Sequence, residues 1–202
     1  MNKISIFLLF LTIISINVNG QDENSEPLMN LDIYVNGEKF QIKDGDTLNI
    51  SNTQIVVKSS DFMTFDFGVV SFDYPKYFAY SFEEDFAYKN WTLDGNDLVI
   101  MYFEIGAEAE LDMFIKEMVK QFGRKNCNVI DHFVKIGDLD LKGKRINVEI
   151  IGQKITYDMY KLESNDFKSH FIAFQDSKNE DGLDSKESIE TLNIINETIQ
   201  YK

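Results

Sequence analysis

The chain reads as an α+β domain, an antiparallel β-sheet with two main helices, preceded by a small N-terminal β-meander. Three observations predict this. Apolar residues recur at every second position through much of residues 31–175, the pattern of strands that bury one face. Only two stretches, near 111–122 and 185–199, change to the helical spacing of three and four. Turn signals such as Asn36-Gly37, where both residues tolerate positive φ, join alternating runs as hairpins. At 202 residues and 44% hydrophobic composition, the chain can bury one substantial core.

The elements follow in order. Met1-Asn2-Lys3 and the apolar run Ile4–Ile16 read as a secretory signal, with Val18-Asn19-Gly20 before a cut at Gln21. The run is shorter than the ~20 residues that span a bilayer. Residues 21–30, polar and broken by Pro27, form a flexible lead-in. Leu31, Ile33, Val35, Phe40, Ile42, Leu48, Ile50, Ile55 and Val57 alternate through a meander at 31–58, with a second turn at Asp44-Gly45. Residues 59–202 make the main domain. Val70, Phe72 and Tyr74 share one strand face, Pro75 ends the pairing, and Phe78, Tyr80 and Phe82 resume it. Trp91 and the turn Asp94-Gly95-Asn96-Asp97 lead to Leu98–Ile105, apolar enough to be buried on both faces. Leu111, Phe114, Ile115, Met118, Val119 and Phe122 stack on one helical face, and Gly123 stops the helix. Strands are predicted at about 128–136, 144–151, 154–163 and 167–175. A last helix follows Asp184, with Asp184 and Glu187 as a capping box and Ile189, Leu192, Ile195 and Ile199 as the buried stripe.

Charge and cysteine content bound the function. Without Lys3 the mature chain carries 19 positive against 34 negative groups, or −15. Nucleic acid and anionic membrane surfaces are repelled by such a chain, while basic partners and neutral ligands are compatible with it. Cys127 is the single cysteine, which excludes an internal disulfide and a Cys-x-x-Cys site. Asn49-Ile-Ser51, Asn90-Trp-Thr92 and Asn196-Glu-Thr198 match the glycosylation triplet and matter only in a eukaryote.

From about residue 69 the order of elements resembles the PsbP-like family of envelope and extrinsic proteins. The likeness is carried by "VSFDYP", "DGNDLVIMYFEI" before the helix "ELDMFIKEMVKQF", "KGKRINVEIIGQK", and "SHFIAFQD" before the closing helix. It implies an α-β-α sandwich and non-catalytic docking, chaperoning or scaffolding work. It transfers no site residue, since members share architecture more than function.

Chemistry is sparse. His132 and His170 each sit beside apolar strand positions, and two imidazoles make an incomplete metal shell, so no metal or cofactor is expected. Cys127 with His132 would need a distant carboxylate to act as a thiol hydrolase, and Ser169 and His170 point to opposite strand faces. Nucleotide-binding glycine loops and the Gly-x-Ser-x-Gly elbow are absent from the sequence. The oxygen-rich turns 94–97 and 176–184 fail the EF-hand spacing. The expectation is a secreted or periplasmic, non-catalytic binding or assembly module docking onto an envelope or extracellular protein. An exported hydrolase and a carrier of small apolar ligands are the alternatives. Tyr77, Glu83, Glu84 and Asp85, aromatic and acidic beside Pro75, are the candidate partner-binding residues.

Overall fold

The computed structural model describes residues 27–43, 46–48 and 55–202. The signal sequence, the cut before Gln21, residues 21–26 of the lead-in, the Asp44-Gly45 turn and the triplet at Asn49 lie outside the described residues.

The elements are β1 (Leu28–Val35), β2 (Glu38–Lys43), β3 (Ile55–Phe65), β4 (Val70–Pro75), β5 (Ala79–Asp85), β6 (Tyr88–Asp94), β7 (Leu98–Ile105), α1 (Leu111–Phe122), β8 (Cys127–Ile136), β9 (Leu139–Ile150), β10 (Gln153–Leu162), β11 (Ser169–Ser177), α2 (Lys186–Thr198) and β12 (Gln200–Tyr201). They form two antiparallel sheets. One has the order β12-β4-β3-β1-β2, the other β5-β6-β7-β11-β10-β9-β8. Asn36 and Gly37 take φ of 51° and 89° in the β1–β2 turn. β1 begins at Leu28, within the stretch read as lead-in, and pairs Leu28 with Thr64.

The fold class departs from expectation. Instead of helices on both faces of one sheet, the chain builds a mostly β sandwich in the manner of a half-barrel. Phe65, Phe72 and Tyr74 of the five-stranded sheet meet Trp91, Ile100, Tyr102 and Phe174 of the seven-stranded one. The Phe65 ring lies 5.4 Å from that of Tyr102 and 6.5 Å from that of Trp91. Burial of each such ring contributes about 1.5–3 kcal/mol. The physical reason for the difference is Pro75. It ends β4 in one sheet, and the turn closed by the Phe78 N–H on the Pro75 carbonyl (3.1 Å) sends the chain to the edge of the other. A break within a sheet and a crossing between sheets look alike in sequence.

Side-chain parity survives the crossing. Phe72, Tyr74 and Phe78 are buried, and Tyr80 and Phe82 pack against the same core. β7 is buried on both faces as expected, with Ile100 and Tyr102 in the inter-sheet core and Phe103 in a second core. That second core lies under α1, whose Phe114, Ile115 and Met118 pack on Phe171, Ile146 and Met159. α1 ends where predicted, at Gly123.

α2 fills the open flank between the sheets. Its N-cap is Ser185, whose side chain accepts the Ser188 N–H at 3.0 Å, so the Asp184–Glu187 capping box does not form. Its buried face runs through Ser188, Thr191, Leu192, Ile195 and Ile199, while Ile189, about 100° round the helix from Ser188, is exposed. At its far end the Asp73 N–H donates to Thr198 Oγ1 (3.0 Å), and the Gly137 N–H to Asn196 Oδ1 (2.8 Å). The helix thus bridges β4 and the β8–β9 turn. No helix among the described residues is long and apolar enough to cross a membrane.

Candidate functional site

The seven-stranded sheet has two ends, and they are finished differently. At one end the β6–β7 turn wraps the carboxylate of Glu187. Oε1 accepts the Asn96 N–H (3.1 Å), the Asn96 side-chain amide (3.1 Å) and the Tyr77 hydroxyl (2.9 Å). Oε2 accepts the N–H groups of Asp97 (2.6 Å) and Leu98 (2.8 Å). Gly95 is needed there, because a Cβ would stand 2.7 Å from both Oε2 and the Phe78 ring. Burial alone would push the Glu187 carboxyl up, but these donors outweigh it and hold it below the ordinary glutamate value of 4.5. Partial burial, with the bond to Glu187, pushes the Tyr77 phenol up to about 12. Beside this clamp Lys178, nearly buried, donates to Asp176 (2.7 Å) and to Asp184. The two oxygen-rich turns are thus filled by the protein's own groups.

The four candidate partner-binding residues do not form one surface. Tyr77, 60% exposed but tethered to Glu187, stands at the closed end. Glu83, Glu84 and Asp85 occupy the other end of β5, which at 3.3 Å per residue spans about 20 Å. Glu84 pairs with Lys89 at 3.1 Å, and burial raises the Glu83 carboxyl. Cys127 and His132 point to opposite faces of β8. The thiol packs in the α1 core, whereas His132 Nδ1 lies 2.5 Å from the Tyr160 hydroxyl on the other face. Asp158 beside them is held by both forks of Arg145 at 2.6 Å. Ser169 Oγ accepts the Ala109 N–H at 2.9 Å. Asn90 is buried, so a glycan at its triplet would not fit the folded chain.

The other end of the sheet is open. Here the β7–α1 connection, the start of β9, the end of β10, the 163–168 loop and Tyr201 of β12 line a groove of about 1050 Å³. Buried Leu141 and Leu162 are among the residues lining it, with Tyr201 and Phe167 more exposed. Phe167 at the loop apex and Phe86 at the β5–β6 apex are fully exposed. Their hairpins are three strand spacings apart in the sheet, about 14 Å.

The loop that carries Phe167 is built from its base. The Val69 N–H donates to the Tyr102 hydroxyl oxygen (3.0 Å), which leaves the Tyr102 hydrogen for His170 Nδ1 (2.8 Å). His170 Nε2–H then faces both Asp166 oxygens at 3.1 Å. Asp166 also accepts the Ser164 hydroxyl (2.7 Å) and the Lys168 N–H (3.2 Å). The Ser164 hydroxyl, His170 and the Lys168 N–H hold the Asp166 carboxyl down at about 2. Gly68, at φ 57°, lets the β3–β4 turn press onto the Tyr102 hydroxyl, a place no side chain fits. Sequence reasoning missed both phenylalanines. The signal was available, since each is a phenylalanine within a charged or polar turn, "EEDFA" and "SNDFKS".

No family model and no curated protein matches this chain. A crystal structure from Bacteroides thetaiotaomicron VPI-5482 resembles it with a TM-score of 0.38 at 14% identity, covering 66% of this chain and 45% of that one. This chain therefore spans less than half the length of that protein.

Proposed function

We propose that the chain is an exported, non-catalytic binding module that docks onto another protein through the open end of its seven-stranded sheet. The observation that carries this reading is the pair Phe86 and Phe167, fully exposed on two apices at the same end. Two bare rings cost solvation in the free protein and gain most when a partner covers them. Export is supported by the basic start and apolar run of residues 1–16. The acidic strand end at Glu83, Glu84 and Asp85 belongs to the same surface.

The test is affinity capture from the cell envelope of the source organism with the tagged chain and with a Phe86→Ser, Phe167→Ser double variant. The expected result is one protein retained by the parent chain and lost from the double variant, at unchanged melting temperature. Equal retention by both chains would reject this surface as the docking face.

A further inference from the structure

We infer that the groove at the open end receives an extended, cationic segment of the partner polypeptide. The inference rests on the binding-module reading above and concerns what the partner presents. Three ammonium groups and four carboxylates line the groove, but they are not equally free. Lys168 is bound to Glu104 at 2.6 Å, and Lys161 lies 3.9 Å from Glu110. Asp166 is committed to His170 and its own loop. Among the described residues, Glu108, Asp140 and Glu163 have no ion pair, against Lys142 alone on the positive side. The groove therefore has negative charge to offer, and the chain's formal charge of −14 steers cations toward it from a distance.

Geometry favours a strand of polypeptide over a small cation. The groove runs from Glu108 past the start of β9 and the 163–168 loop, and its volume of about 1050 Å³ has room for several residues of extended chain. Leu141 and Leu162 give an apolar floor for one anchoring side chain, with carboxylates around it for its basic neighbours. The hydrogen bonds from Tyr102 through His170 to Asp166 fix the 163–168 loop before any partner arrives. A preset loop lowers the ordering cost of binding.

The experiment uses isothermal titration of the mature chain with a short peptide that carries lysines around a central leucine, and with its twin in which glutamate replaces lysine. The lysine peptide is expected to bind, weakening as salt is added, and the glutamate twin to bind at least about tenfold more weakly. Glu108→Lys with Glu163→Lys should cost the lysine peptide about tenfold while leaving the melting temperature unchanged. Equal binding of both peptides, or no effect of the two charge reversals, overturns the inference of a cationic segment. Such a result leaves the phenylalanine capture experiment standing, so the two readings fail separately. Uptake of the chain by phosphatidylcholine vesicles, abolished by Phe86→Ser and Phe167→Ser, would assign the rings to a lipid surface and also overturn it.

Discussion

The two ends of the seven-stranded sheet use the same chemistry to opposite effect. At the closed end a carboxylate, a tyrosine and a tight turn satisfy one another, and Glu187 receives five hydrogen bonds from within the chain. At the open end Glu108, Asp140 and Glu163 have no ion pair among the described residues, and Phe86 and Phe167 are bare. Residue type does not separate the two. What differs is whether the fold supplies the partner, and a polar group so supplied stabilises the protein, whereas one left open is available to another molecule.

Glu187→Ala strips the acceptor from three backbone N–H groups and should cost about 2–3 kcal/mol in a urea melt, without weakening partner capture. Its carboxyl sits below 4.5 in the folded state, so its contribution is full above that value and fades as the pH falls through the lower folded value. Glu187→Gln should therefore flatten the acid limb of stability against pH; an unchanged acid limb would show that the clamp does not set it. Tyr77→Phe removes one of the five donors at an exposed site and should cost about 1 kcal/mol. Partner binding lost with Tyr77→Phe at normal stability would break the division between the ends. Smallest in stability are Phe86→Ser and Phe167→Ser, each expected within about 0.5 kcal/mol of the parent by thermal melt, as for ordinary surface changes. A larger loss from either would mean that the ring supports the fold.

Local features were legible in the sequence and distant pairings were not. The period of Leu111 to Phe122 and the stop at Gly123 specify α1 without reference to anything else. Asn36-Gly37 likewise declares its own turn. Glu187 looked like a capping residue because it lies near the helix start, yet its donors are about ninety positions away. The sandwich was hidden for the same reason, since Phe65 meets Tyr102 and Trp91 only after the chain has crossed at Pro75. At the candidate site the carboxylates Glu83, Glu84 and Asp85 were found as a run, but parity around Pro75 gave Tyr77 an exposed position without revealing its tie to Glu187. Phe86 and Phe167 required knowing which turns share an end of the sheet.

The helix that bridges β4 and the β8–β9 turn also bears on the order of folding. Asp73 and Thr198, joined by a hydrogen bond, are 125 positions apart, and β12 pairs with β4 across a similar span. Contacts this remote carry a large loop-closure cost and slow the search for the native state. During synthesis, β4 must wait until residues 198–201 have emerged before its flank is covered. A chain delayed in this way stays open for longer to translocation or to a chaperone. Refolding should show the inter-sheet Trp91 reaching its native fluorescence late, after the amide protection of the β8–β9 hairpin is in place; simultaneous protection of both would mean that the flank closes with the rest.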